Sequence, residues 1–458
     1  SVWINTGVDQ ERLYSALVQA AADLYFQSGE APLAERAHEA IEENRAFGLR
    51  ALLGSPAEWS RRLPPEYWLT LARLRAAENP AASGDPSRVG ESQRLRYRLT
   101  ELEAQAGLSL PAGPPAGTVG GSGALEHLRR VLDPGEAYLR IYLAEPSSYL
   151  WTVTRDELHC FRLPGRGAIE ALVSRFAGAL RRDSAEHVDA GRELYRMLFG
   201  QIPAAVAAKP RWSMALDGAL LLCPMSALVT SAAEEPASYL LERHAIRLVP
   251  AAGLLNGRSR GGWAGSLVGV ADPVYNSADP RRQAADVSLS GVPMLGLLPR
   301  VFAGSAAPAQ LARLAASGKE VETCFAAWRR PVSNRVILSG DKATAEGVKQ
   351  ALAAGATIVH FATHFVMSAG AQRQALMALS LDEKGAPELV GPAEVARWRG
   401  SPRLVVLNGC ASAVADALPA EGLTGMTRAW LAAGAGSVAA TLWPAPDDEG
   451  RLLVSFYQ

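Results

Sequence analysis

Apolar residues recur at helical spacing from Glu11 to Phe26, through Leu13, Leu17, Ala20, Ala21, Leu24 and Tyr25. Ser28-Gly29-Glu30 breaks that pattern. A second helical pattern starts at Pro32, a good first-turn residue, and runs to about Leu53. Together they predict a helical hairpin, the unit from which helical repeats are built. After a Pro-rich break, residues 92–106 read as a charged, solvated or coiled-coil helix. Residues 111–123, rich in Pro and Gly, read as a linker.

Beyond the linker the period changes. Alternating segments at 137–143, 149–154 and 158–163 predict consecutive strands. Helical patterns follow at 168–182 and 190–199, then strand-like runs at 212–216, 219–223 and 245–249. From Ser266 strands and helices take turns. Strands are expected at 266–271, 335–338, 357–362, 403–408 and 436–442, with helices at 308–328, 343–354, 392–398 and 421–433. Short Val/Ile/Leu-rich strands separated by helices imply an α/β domain, with a mostly parallel sheet covered by helices on both faces. The expected division is a helical region at 1–110, the linker, a first α/β part at 124–265 and a second at 266–458. Sheets of this kind bind their ligands beyond the carboxyl ends of the strands.

Composition narrows the classes. The 458 residues suffice for two or three domains at about 150 residues each. Lysine plus arginine equals aspartate plus glutamate at 46, so no general nucleic-acid or anionic-membrane binder is expected. Lysine contributes only five of the 46 basic residues, an Arg- and Ala-rich usage that resembles GC-rich bacterial genomes. No run of 18 apolar residues occurs, and Asp9, Glu11 and Arg12 interrupt any leader-like start. The chain opens at Ser1 rather than Met, which points to sequence upstream. Cys160, Cys223, Cys324 and Cys410 lack CxxC spacing, so neither a zinc site nor a disulfide framework is expected, and a reducing cytoplasm fits best. No metal or other cofactor is expected.

Two strand exits carry candidate chemistry. Thr357-Ile-Val-His-Phe-Ala-Thr-His364 ends on a histidine just past its apolar run. Arg403-Leu-Val-Val-Leu-Asn-Gly-Cys410 ends on a cysteine, preceded by Gly409, which permits a tight turn. A thiolate that attacks and an imidazole that moves the proton are the minimum for acyl transfer. A cysteine in an α/β domain is also often a small buried hydrophobe. That reading is given to Cys160, Cys223 and Cys324, and the structural one to His38, His127, His159, His187 and His244. His360, inside the apolar run, is expected to be structural.

Residues 358–364 resemble the histidine motif of the CHAT family, caspase-like peptidases often found behind tetratricopeptide repeats. Residues 404–410 resemble its cysteine motif. Glu421 to Pro444, Leu216 to Leu228 and Tyr239 to Ile246 also fit, so the likeness spans about 125–458. The helices of residues 32–53 and before resemble a terminal tetratricopeptide repeat. The resemblance implies a caspase-type fold, with 124–265 as its non-catalytic half and 266–458 as its catalytic half. It also implies His364 as general base and acid and Cys410 as nucleophile. The backbone N–H groups of Phe365 and Cys410 would bind the oxyanion. The sequence departs from the pattern at three places. Phe365 replaces a glycine, Asn408-Gly409 replaces Ser-Ala, and the chain stops at Gln458, where further family elements are expected.

In this clan the pocket for the residue before the cut lies beside the strand at 436–442. Trp443, Asp447 and Asp448 are its candidates. The acids would select Arg or Lys, or else they cap the next helix; an apolar pocket at Trp443 would take Leu or Met. The loops at 411–421 and 251–300 are candidate gating or exosite segments. The leading expectation is a bacterial cytoplasmic cysteine endopeptidase acting on a protein substrate. A gasdermin-like precursor or a CRISPR-associated effector would suit it, in defence or cell death, with an activating partner on the N-terminal helices. A silent caspase-fold scaffold and a Cys-dependent acyltransferase or amidase are the competing readings.

Overall fold

The computed structural model describes residues 3–53, 123–255, 265–276, 311–367, 375–382, 385–409, 425–443 and 450–458, with scattered positions at 64–102, 263, 279, 281 and 412. Cys410, Asp447, Asp448, the linker at 111–122 and most of the loops at 411–421 and 251–300 lie outside the described residues. The chain forms two compact units that divide near residue 260.

In the first unit, α1 (Trp3–Ser28) and α2 (Ala31–Leu53) flank Gly29, whose φ of 75° gives the turn a conformation that glycine adopts freely. Strands β1 (Glu136–Tyr142), β2 (Ser148–Val153), β3 (Leu158–Leu163), β4 (Arg211–Ala215) and β5 (Ala245–Leu248) form one sheet, ordered β3-β2-β1-β4-β5. The first three strands make an antiparallel meander, and β4 and β5 extend it in parallel. Alternation along β1 divides the two cores. Leu139 and Ile141 meet Ile169, Phe176, Leu194 and Leu198 of helices α4 (Arg166–Arg181) and α5 (Glu186–Phe199); the shorter α3 (Ala124–Val131) precedes the sheet. The opposite face receives the hairpin, where Ala21, Ala22, Ala34, Ala37 and Ala40 lie against Tyr149 and Trp151. Small helix residues let two large aromatics bury, and Trp151 Nε1 donates to the Ala34 carbonyl at 3.0 Å. The hairpin is therefore part of this unit's core. The run at 219–223, expected as a strand, is a 3₁₀ turn spanning Gly218–Leu222: Asp217 caps it and Gly218 has φ 51°.

A polar cluster lies beneath the hairpin. Glu42 accepts from the Tyr138 hydroxyl at 2.8 Å and from the Ala252 N–H at 2.7 Å, while Arg45 pairs with Asp217 at 2.9 Å. His38 is fully buried here, and burial pulls its pKa down to about 4.

In the second unit, β6 (Ser266–Pro273), β7 (Asn334–Gly340), β8 (Ala356–Ala362), β12 (Leu404–Asn408) and β13 (Val438–Ala440) form an all-parallel sheet ordered β13-β12-β8-β6-β7. Helices α7 (Ala345–Ala353) and α8 (Gly425–Ala432) cover one face through Val348, Leu352, Met426 and Trp430. Helices α6 (Ala315–Ala327) and α9 (Arg451–Tyr457) cover the other through Val321, Cys324, Phe325 and Tyr457. The helix expected from 308 starts only at Ala315, and the described residues 311–314 are not helical. An antiparallel ribbon of β9 (Phe365–Met367), β10 (Ala375–Leu381) and β11 (Pro387–Val390) had no counterpart in the strand pattern. The strand order runs outward in both directions from β6 and β8, so the switch point of the sheet lies between their carboxyl ends. Among the described residues no helix is long and apolar enough to cross a membrane.

The buried His38 predicts an acid sensitivity of the first unit. Its folded pKa, about 4, lies below the ordinary histidine value, so the unfolded chain binds the extra proton as pH falls. Its contribution is complete above about pH 6.5 and is lost as pH falls towards 4. The wild type should therefore lose more melting temperature between pH 7 and pH 5 than His38→Leu; equal slopes would contradict this origin.

Candidate active site

The register of the parallel sheet sets the site. Ala362 on β8 stands opposite Asn408 on β12, so the described residues His364 and Gly409 follow that pair at the same edge. His364 thus leaves β8 beside the switch point, and β12, the strand that leads to Cys410 in the sequence, pairs with β8 on its other side.

His364 is half-buried and held from two sides. Its backbone N–H donates to the Tyr275 hydroxyl at 3.3 Å; that hydroxyl donates in turn to Thr363 Oγ1 at 2.7 Å, and Thr363 donates to the Ala378 carbonyl. The Tyr275 ring lies 5.0 Å from the imidazole, and burial keeps its phenol protonated well above the usual range. The imidazole Nε2 lies 2.7 Å from the Ala312 carbonyl oxygen. A carbonyl only accepts, so Nε2 carries a proton, and the neutral ring keeps its lone pair on Nδ1. That tautomer can take a proton from a thiol through Nδ1 while Nε2 stays anchored.

The turn before Cys410 is fixed by packing. A Cβ at position 409 would fall 2.3 Å from the Thr363 carbonyl oxygen and 2.5 Å from Phe365 Cδ2. Gly409 is not among the residues with positive φ, so close approach, and not turn geometry, requires the glycine. The Phe365 ring is buried among Phe361, Met377 and Leu379. Phe365 has no positive φ either, so its side chain puts no strain on that backbone. The two departures from the family pattern are therefore coupled: the ring that replaces glycine after His364 occupies space left by the glycine before Cys410.

Beyond the cysteine position, Ser412 and Thr441 form a closed clasp. Ser412 Oγ donates to the Leu407 carbonyl at 2.7 Å and accepts the Thr441 N–H at 3.0 Å. Thr441 Oγ1 donates to the Gly409 carbonyl and accepts the Ser412 N–H at 3.3 Å. Both flanks of position 410 are thus tied to the exit of β13. Below them, Glu320 Oε1 accepts from Asn408 Nδ2 at 2.8 Å and from His360 Nε2 at 2.9 Å, and Tyr457 donates to His360 Nδ1 at 3.1 Å. His360 is fully buried with both nitrogens engaged, the placement expected of a structural residue.

Trp443, the one described residue of the three pocket candidates, is 41% exposed just past β13. The other thiols are buried. Burial pushes Cys223 and Cys324 up to about 12 and Cys160 higher still, so none of them is activated.

Five residues that hold these turns lie outside the two strand-exit motifs: Ala312, Tyr275, Ser412, Thr441 and Glu320. Ala312 acts through its backbone and leaves no side-chain signal. Ser317, Glu320 and Cys324 follow the i, i+3, i+7 stripe of a helix face, so an acid on that stripe was a legible sign of a buried carboxylate.

Gly409→Ala should cost about 1–3 kcal/mol of stability as Thr363 or Phe365 gives way. Gly409→Ser should cost at least as much. Unchanged melting temperatures for both would refute the close approach. Phe365→Gly should also destabilise, by roughly 3–5 kcal/mol as for other aromatic deletions from a core.

Residues 188–458 match the family model described as the CHAT domain. No curated protein matches the chain. The match takes in more than half of the chain, including the whole parallel sheet and the exits of β8 and β12, and the chain belongs to the CHAT domain family, whose fold is caspase-like.

Proposed function

We propose that the chain is a cysteine endopeptidase that cleaves a protein substrate through a Cys410–His364 dyad. The observation that carries this reading is His364 at the exit of β8, oriented by the Ala312 carbonyl, one strand from the exit that leads to Cys410. Nδ1 of His364 takes the thiol proton, and the thiolate attacks the scissile carbonyl. The backbone N–H groups of Phe365 and Cys410 stabilise the oxyanion. His364 returns the proton to the leaving amine, and water, deprotonated by the same ring, hydrolyses the acyl-enzyme. Throughout, Nε2 keeps its proton against Ala312, so the imidazolium that forms is held in place.

Trp443, Asp447 and Asp448 remain the proposed wall of the pocket for the residue before the cut. The hairpin α1–α2 is the proposed landing site for an activating partner. A bacterial, cytoplasmic setting in defence or cell death, with a gasdermin-like or CRISPR-associated substrate, is part of the proposal. A Phe at 365 would favour the competing scaffold reading if it strained the proposed oxyanion donor, and its φ is not positive.

Digestion of a peptide library and of denatured proteins tests the proposal. Cys410→Ala and His364→Ala should both abolish cleavage and keep the wild-type melting temperature. Equal turnover in wild type and Cys410→Ala would end the dyad reading. His364→Gln should lose roughly 10²–10⁴ in rate with little change in stability. His360→Gln should lose stability first, through the bonds to Glu320 and Tyr457, with activity following the folded fraction. Full activity in His364→Gln with none in folded His360→Gln would exchange the two assignments.

A further inference from the structure

Asp272 lies at the exit of β6 with φ 45°, in the left-handed region that few side chains adopt and that Asp and Asn tolerate best. Such a conformation persists where the surroundings over-determine it. Here they do. The Asp272 N–H donates to Ser317 Oγ at 2.9 Å, and that hydroxyl donates to the Leu314 carbonyl at 2.8 Å. The Asp272 carboxylate receives both arms of Arg313, Nε to Oδ1 at 2.9 Å and Nη2 to Oδ2 at 2.7 Å. Arg281 adds Nη1 to Oδ2 at 2.8 Å and to the Asp272 carbonyl at 2.9 Å, and it grips Asp279 with its other nitrogens. The pairing holds the Arg313 guanidinium above its ordinary pKa.

One residue thus ties the exit of β6 to the segment 311–314 at two points. That segment is neither strand nor helix, and it contains Ala312, whose carbonyl anchors His364 Nε2. Arg313 is the next residue along the chain. On the other side, Tyr275 follows Asp272 by three residues and receives the His364 N–H. Both groups that hold the histidine therefore hang from the same junction.

We infer that Asp272 and Arg313 form a positioning pair, which fixes the Ala312 carbonyl and through it the tautomer and direction of the His364 ring. The inference rests on the dyad reading and deepens it. Bidentate arginine–carboxylate geometry suits the task, because a fork fixes direction as well as distance. Asp272 acts through other groups and is not a catalytic residue.

The test uses the full chain with Asp272→Asn, Arg313→Gln and Arg313→Lys. Asn tolerates the same backbone conformation, so Asp272→Asn removes the charge and one acceptor without forcing the turn. Arg313→Lys keeps the charge and loses the fork. Three quantities are read: melting temperature, the rate of Cys410 alkylation by iodoacetamide, and kcat and KM on peptides that the wild type cleaves. Asp272→Asn and Arg313→Gln should lose about 10- to 100-fold in kcat, as for a misplaced catalytic group, with KM nearly unchanged. Arg313→Lys should fall between them and the wild type. Alkylation should slow in the same order, because a displaced imidazole no longer stabilises the thiolate. Wild-type kcat and alkylation in folded Asp272→Asn would overturn the inference. So would a raised KM at constant kcat, which would put Asp272 against the substrate. Should Asp272→Asn fail to fold, the two Arg313 variants decide by the same readouts. If the wild type cleaves no peptide, the endopeptidase reading fails on its own, and the order of alkylation rates still supports or refutes the pair.

Discussion

The close approach of Gly409 to the Thr363–Phe365 turn sets how near the exits of β8 and β12 can come. Parallel strands bring β8 and β12 to a common edge, but register alone fixes position only to within a turn. Direct contact of one backbone on another does more. With the Thr363 carbonyl and the Phe365 ring filling the place of a side chain at 409, the two turns approach to a distance that only glycine at 409 permits. In a close-packed interior even one extra methyl group has no room.

Around that contact, polar groups hold each turn separately. The Ser412–Thr441 clasp ties the cysteine turn to the exit of β13, and the Glu320–His360–Asn408–Tyr457 network ties its base to α6 and α9. The histidine turn is held by Tyr275 and Ala312, both beside the exit of β6. Each buried polar group in these networks has its partner, which lets a low-dielectric site keep fixed directions. Apolar layers on the two sheet faces carry most of the burial, and the polar networks carry the orientation.

Much of this was legible in the order of residues. The change from helical to alternating period near residue 136, and the α/β rhythm from Ser266, located the two sheets. The strands ending at Ala362 and Asn408 were read within one or two residues, because Val/Ile/Leu runs bounded by Gly and polar turns are strong signals. His364 was singled out by its place just past such a run. The short ribbon β9–β11 was not legible: its strands are three to seven residues long, and their pairing depends on tertiary contact. Gly409 was given to a turn, because a glycine required by close approach looks the same in a sequence as one required by φ. The Ala312 carbonyl carries no side-chain signal, and the Asp272–Arg313 pair joins residues 41 apart whose meeting only the fold reveals.

On the dyad proposal one thiol of the four, Cys410, is activated, and the His364 ring activates it. Incubation of the full chain with a peptidyl acyloxymethyl ketone, followed by peptide mapping in the mass spectrometer, addresses it most directly. The expected result is a thioether on the peptide that contains Cys410, formed by wild type and strongly reduced in His364→Ala, with Cys160, Cys223 and Cys324 unmodified in the folded protein. An adduct on one of those three buried thiols, or labelling of Cys410 at the same rate without His364, would contradict it.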